Sequence, residues 1–195
     1  MPLSPRFSDA LSYVAALHAG QRRKVSGEPY ISHLLAVAAI VMEYGGNEDE
    51  AIAALLHDAV EDQGGAATLE EIRGRFGAAV AEIVVGCTDT AETPKPPWRK
   101  RKESHIARLR DASPSIRLVV AADKLHNAHS LHREYRRRGE SLWAFFHGGR
   151  DGTLWYYRAV TDVLKQAALT PIIEELDRAV EELDRAVEEL ESSAD

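Results

Sequence analysis

The chain has 195 residues, 45% hydrophobic and 28% charged, which is room for one substantial domain with a short appendage and excludes collagen-like, low-complexity and wholly disordered classes. The net charge of −7 is uneven: residues 174–195 carry ten acids against Arg178 and Arg185, a balance of −8, and leave residues 1–173 at +1. A near-neutral domain lacks the broad basic face that duplex nucleic acid requires, and no apolar run approaches the roughly 20 residues that cross a bilayer.

The first residues, MPLSPRFSDALSYVAALHAG, lack a basic start, an apolar stretch and a cleavage site, so a cytoplasmic protein with no membrane partner is expected. The single cysteine, Cys87, can form no internal disulfide and reads as a small apolar residue after Ile83, Val84 and Val85. Apolar residues recur at three- and four-residue spacing, as in Phe7, Leu11, Val14, Leu17 and in Leu34, Val37, Ala38, Val41. The spacing predicts helices over 6–20, 30–44, 48–61, 68–76, 78–88, 99–111, 114–132, 140–147 and 153–190. Glycine and proline clusters punctuate them, and Thr68 before Glu70-Glu71 reads as a helix N-cap. No convincing alternating strand pattern occurs, so the fold class is all-α. The proline-bearing stretch between Asp89 and Arg99 is the longest polar loop and a natural lid or specificity element.

Residues 1–170 are expected to form the domain and 171–195 an acidic, heptad-like helix and tail. There EELDRAV occurs at 174–180 and again at 181–187. Ile173, Leu176, Val180, Leu183, Val187 and Leu190 place one apolar stripe on that helix, which needs a partner: its own domain, or a second copy in a homodimer.

Chemistry concentrates at Leu55-Leu56-His57-Asp58-Ala59-Val60-Glu61-Asp62. An isolated His-Asp pair is weak evidence, but here an apolar helix ends in four polar groups, with His57 and Glu61, and Asp58 and Asp62, four residues apart. Acids crowded together repel unless a cation intervenes, so a divalent metal is the economical reading. His33 offers a further imidazole and Asp123 a further carboxylate, with Asn127 and Ser130 on the face of Asp123. Two imidazoles and two carboxylates suit Mn²⁺, Fe²⁺ or Zn²⁺. A hydrogen-bonded helix end would explain His57 and Asp58 alone, but not the other groups. The step of three through His126, His129 and His132 reads as a solvated stripe, Arg136-Arg137-Arg138 as solvated charge, and His18 as support for the first helix or the site. Core packing is the expected role of at least two of Trp155, Tyr156 and Tyr157.

The strings HAGQRRKVSGEPYISH (18–33) and AALLHDAVED (53–62), the Phe76-Gly77 pair, Thr88-Asp89 and ADKLHN (122–127) together resemble the hydrolase domain of RelA/SpoT alarmone enzymes. That domain is a branch of the HD phosphohydrolase superfamily, and the resemblance spans residues 6–165 with the motifs in order. It implies an HD-type helical bundle and a small alarmone hydrolase of the metazoan SpoT-homologue type. It implies that His33, His57, Asp58 and Asp123 ligate a metal, typically Mn²⁺, and that Glu61 and Asp62 activate water and transfer protons. Asn127 and Ser130 correspond to substrate-contacting positions. Arg23 and Lys24 correspond to a basic pair lying against base and phosphates, with Arg22 an alternative member. Arg99 and Lys100 match a basic motif after the variable loop that holds Lys95.

The implied reaction is hydrolysis of the 3′-pyrophosphate of ppGpp or pppGpp to GDP or GTP and pyrophosphate. Two alternatives remain at this stage. The same site could act on an adenine alarmone such as ppApp or on the 2′-phosphate of NADPH, or the chain could be a non-catalytic helical adaptor whose acidic tail recruits a partner.

Overall fold

The computed structural model describes residues 3–90 and 94–192, the last three through their backbone alone. Its elements are α1 (Pro5–Leu17), α2 (Ile31–Glu43), α3 (Glu48–Leu56), α4 (Ala59–Gln63), α5 (Gly65–Phe76), α6 (Ala78–Cys87), α7 (Trp98–Arg110), α8 (Pro114–Arg138), a 3-10 segment (Gly139–Phe145), α9 (Gly149–Ala167) and α10 (Pro171–Ser192). The described residues contain no strand, only an isolated bridge between Arg22 and Pro29, so the all-α reading holds.

The order of packing follows from which helices are apolar all round. In α3, Ala51 through Leu56 are all fully buried, and a helix without a polar face must be surrounded. It is enclosed by α1, α2, α6 and α8, with Ala53 and Ala54 allowing close approach. Asn47 starts it with a reciprocal capping box to Glu50. The first half of α8 is equally enclosed, with Val119 to Ala122, Leu125 and Ala128 buried. These two helices therefore run through the core, and the polar groups at the end of α3 and on α8 emerge in the same interior.

Several boundaries differ from the sequence expectation, four of them for a local reason. The helix expected over 48–61 is interrupted at His57 and Asp58, where His57 Nδ1–H donates to the Ala54 carbonyl (2.8 Å) and competes with the regular ladder. The helix expected from Thr68 begins three residues earlier, because Gly64 (φ 146°) and Gly65 (φ 60°) make a left-handed turn; Thr68 lies inside it and donates to the Gln63 carbonyl. The helix expected to stop at 132 continues to Arg138, with Arg137 and Arg138 paired to the buried Glu134 and favourably placed at its C-terminus. The long helix expected over 153–190 breaks at Ala168–Thr170, where Pro171 pushes the residue before it out of helical conformation and opens α10.

That break turns α10 back along α8 and α9. Ile172, Ile173, Leu176, Ala179, Val180, Leu183, Ala186 and Val187 are buried in the same core as α3 and α8, so the apolar stripe is covered within the chain. The Leu190 side chain lies outside the described residues. Arg158 pairs with Asp184 (2.6 Å) and Lys165 with Asp177 (2.5 Å), linking α9 to α10. Leu183→Ala should therefore lower unfolding free energy by about 2–5 kcal/mol, independently of protein concentration, as read by urea denaturation at two concentrations. A loss that grows on dilution would instead mean that the stripe is completed by a second copy.

Candidate metal centre and nucleotide cleft

His33, near the start of α2, and His57 and Asp58, at the break between α3 and α4, offer ligand atoms that all lie within 4.8 Å of one another. Asp123 of α8 closes the group: its Oδ1 is 3.2 Å from His33 Nε2 and 3.7 Å from His57 Nε2. Asp58 Oδ2 stands 3.0 Å from His57 Nε2 and 3.8 Å from His33 Nε2. Donors that share a cation at about 2.0–2.2 Å stand roughly 3–3.5 Å apart, so this spacing fits a single ion. Both imidazoles are almost fully buried, and neither Nε2 has a hydrogen-bond partner. Two orphaned ring nitrogens facing two carboxylates match the donor set of a divalent transition metal.

Each of the four groups is also held by a neighbour outside the corner. His57 Nδ1 is committed to the Ala54 carbonyl, leaving its Nε2 to face the carboxylates. His33 Nδ1 lies 2.8 Å from His126 Nδ1. Burial lowers the His33 pKa, and burial followed by the His33 charge brings His126 down to about 4. Both rings are therefore neutral at pH 7, and the contact between their Nδ1 atoms turns the His33 Nε2 inward. Tyr30 O–H donates to Asp58 Oδ2 (2.5 Å); burial and then the Asp58 charge push its pKa far up, so the phenol keeps its proton. Lys124 Nζ is 2.7 Å from Asp123 Oδ2, and Asn127 Nδ2–H donates to Asp123 Oδ1 at 2.5 Å.

Electrostatics agree with a missing positive charge. Burial opposes protonation of His57, but Asp58 and Asp123 outweigh it and hold its pKa well above the usual range. Burial would raise both carboxyls; His57 beside Asp58, and Lys124 beside Asp123, reverse this and keep them ionised. The two carboxylates thus favour positive charge at the His57 Nε2 corner, where a cation would sit.

Glu61 and Asp62 of α4 lie on the open side. Glu61 accepts from Lys95 Nζ (3.0 Å) and from the Asp89 backbone N–H (3.3 Å). Asp62 sits at the rim and accepts from Gln21 Nε2 (2.7 Å); desolvation and the nearby Asp58 charge raise its pKa. Asp89 itself is buried and pairs with Arg101 and Lys102, while Arg108 holds the Thr88 and Asp89 carbonyls.

A cleft of about 270 Å³ adjoins this centre, with Arg23, Lys24, Tyr30, Asn127, Ser130 and Tyr157 in its walls. Arg23 donates to Asn127 Oδ1 (2.7 Å), so Arg23, Asn127 and Asp123 form a continuous chain. The loop bearing Arg23 is pinned by Arg23 N–H to the Glu28 carbonyl and Tyr30 N–H to the Gln21 carbonyl. Arg22 turns away to the Gly27 carbonyl. Arg99 stands apart from the acids: its guanidinium lies 3.3 Å from the Trp155 ring centroid and pairs with Glu103, while Arg101 and Lys102 reach inward beside Asp89. Lys100 lines a second cavity, of about 490 Å³, with Asp89, Arg101 and Arg108. Tyr156 and Tyr157 are buried and Trp155 only partly so, as expected for two core residues of the three. The loop residues 91–93 fall outside the described residues.

Sequence reading missed Tyr30, Gln21, His126, Lys124, Arg101 and Lys102 as members of this site. All except Arg101 and Lys102 lie inside the quoted motifs, which was the available signal. His126 in particular was assigned to a solvated stripe, whereas it is the partner of His33.

Comparison with known proteins places the chain. A model of the HD domain matches residues 10–154, and the chain belongs to the HD-domain family. Among its relatives are the guanosine-3′,5′-bis(diphosphate) 3′-pyrophosphohydrolase MESH1 of Mus musculus, 40% identical over 128 residues covering 64% of this chain and 69% of that one. Another is the guanosine-3′,5′-bis(diphosphate) 3′-pyrophosphohydrolase of Haemophilus influenzae, 39% identical over 130 residues covering 62% of this chain and 18% of the longer protein. The solved structure of a metazoan orthologue of SpoT that hydrolyses ppGpp superposes with a TM-score of 0.79 at 27% identity, covering 96% of this chain and 99% of that one.

His126→Ala should weaken divalent-cation affinity about 10- to 100-fold, measured by titrating Mn²⁺ into chelator-stripped protein. Unchanged affinity would separate His126 from the centre.

Proposed function

We propose that this chain is a metal-dependent hydrolase that removes the 3′-pyrophosphate of ppGpp or pppGpp, yielding GDP or GTP and pyrophosphate. The observation that carries the reading is the buried corner where two unbonded imidazole nitrogens meet two carboxylates beside a cleft walled by Arg23, Lys24 and Asn127. The substrate follows from the relatives, which carry that activity in their names.

His33, His57, Asp58 and Asp123 would hold the ion, Mn²⁺ in keeping with the resemblance and with a mixed nitrogen and oxygen donor set. Such an ion, when bound, supplies an acidified water and offsets charge on a phosphoryl oxygen. The chain's own side chains do the rest. Glu61, steadied by Lys95 and the Asp89 N–H, accepts a proton from water as the new O–P bond forms. Asp62, whose carboxyl is raised by desolvation and the nearby Asp58 charge, is suited to give its proton to the ribose O3′ as the P–O3′ bond breaks, and the proton that Glu61 takes from water balances it. Arg23 and Lys24 face base and phosphates from the cleft, with Asn127 and Ser130 contacting the ribose or 3′-phosphates. Lys95, which reaches Glu61 at the opening, neutralises the departing diphosphate, while Arg99 is held on the Trp155 ring.

A Mn²⁺-supplemented assay that resolves pyrophosphate from orthophosphate, run with ppGpp, ppApp and NADPH in parallel, tests this. Pyrophosphate from ppGpp is the expected product. Orthophosphate from NADPH alone would make the protein a nucleotide phosphatase on the same centre, and silence on all three would bring the helical adaptor forward. Asp58→Ala should abolish metal retention and turnover together. Glu61→Gln should keep the metal while kcat falls about 100-fold or more, and an unchanged rate would remove Glu61 from the mechanism.

A further inference from the structure

Between α1 and the Arg23 loop, four side chains form a closed arrangement outside the metal corner. Gln21 Nε2 is 2.7 Å from Asp62 Oδ2, and Gln21 Oε1 is 2.6 Å from His18 Nδ1 and 2.5 Å from Gln63 Nε2. Asp62 Oδ2 accepts both when the carboxyl is ionised and when its proton sits on Oδ1 toward the reacting atoms, so the amide nitrogen of Gln21 faces it. Its oxygen then accepts twice, from the Gln63 amide and from His18, which makes His18 the Nδ1–H tautomer. Flipping the amide would set its oxygen against Asp62 Oδ2 and would require the His18 tautomer and the Gln63 amide to change with it. His18 is itself fixed: it is buried, its Nε2 is without a partner, and its ring stacks on Tyr30 at 5.5 Å and 20°. Tyr30 in turn donates to Asp58.

We infer that Gln21 is a positioning residue for Asp62, locked in one amide orientation by His18 and Gln63. The inference rests on the reading that Asp62 transfers protons in the reaction. At the rim a carboxylate on a short helix would otherwise rotate freely toward solvent, and proton transfer requires it within hydrogen-bond reach of the reacting atoms. Through its ring, His18 supports both acids: one face steadies Tyr30 and so Asp58, and its Nδ1–H sets Gln21 and so Asp62.

The test is Gln21→Met, which keeps the length and removes donor and acceptor. With Mn²⁺-loaded protein and whichever substrate turns over, kcat should fall at least about tenfold, as expected for loss of a hydrogen bond to a charged group, with KM within twofold and metal per chain unchanged. An unimpaired kcat, or a KM and metal content that move with kcat, would overturn the assignment. Thermal melts of Gln21→Met, Asp62→Ala and the double variant give a readout that needs no substrate. The two losses should overlap, the double variant melting within about 1 °C of the weaker single, whereas full additivity would mean that the residues are not coupled. A wild type silent on every substrate defeats the functional reading and leaves the melts to judge Gln21. An active wild type with unimpaired Gln21→Met defeats the positioning role and leaves the functional reading standing.

Discussion

The constraint on which the rest of the structure depends is that Asp58 and Asp123 are brought together inside the protein with nothing but two imidazoles between them. Burying two like charges is unfavourable by several kcal/mol per ion unless compensation is supplied at close range. The protein supplies part of it from outside, through Lys124, Tyr30 and Asn127. The remainder is left to a proton on His57 or to a cation. Because both imidazole Nδ1 atoms are engaged elsewhere, the two Nε2 atoms are left facing the carboxylates and that occupant.

The helical scaffold explains how such a corner is tolerated. Six consecutive buried residues in α3 and a run of buried residues in α8 lock the backbone on both sides. The break at His57 and Asp58 then lets α4 change direction, so that Glu61 and Asp62 face the opening while His57 and Asp58 stay inside. A second tier of opposite charges continues outward, from Asp123 to Lys124, and from Glu61 and Asp89 to Lys95, Arg101 and Lys102. Each charge is answered by its neighbour, and the net result is a strongly polarised wall in a domain that is nearly neutral overall.

How much of this was legible in the sequence depends on whether a property is local. Helical periodicity and glycine or proline punctuation are local, and they gave the elements; where boundaries failed, a tertiary or side-chain effect intervened, as with the His57 bond to the Ala54 carbonyl. The corner itself was legible only through motif spacing and order, because His33 lies 24 residues before His57 and Asp123 lies 66 residues after it. His126 shows the limit well. Its spacing from His129 and His132 suggests one solvated face, yet the first of the three sits 2.8 Å from His33. Likewise Arg101 and Lys102, not Arg99, turn inward, since Arg99 is taken by the Trp155 ring.

The acidic C-terminal helix follows the same logic of a charge needing an answer. Its stripe is apolar enough to mate with a second copy, but the break at Thr170-Pro171 directs it onto α8 and α9, where Arg158 and Lys165 meet Asp184 and Asp177. That packing covers the outer side of α8, the helix that presents Asp123, Asn127 and Ser130. A helix exposed along one side would be free to shift, and a shift of about 1 Å at Asp123 would break its contacts to His33 and Asn127. Glu174, Glu181 and Glu182 face outward on α10, so its hold on the domain comes from the apolar stripe and from Asp177 and Asp184.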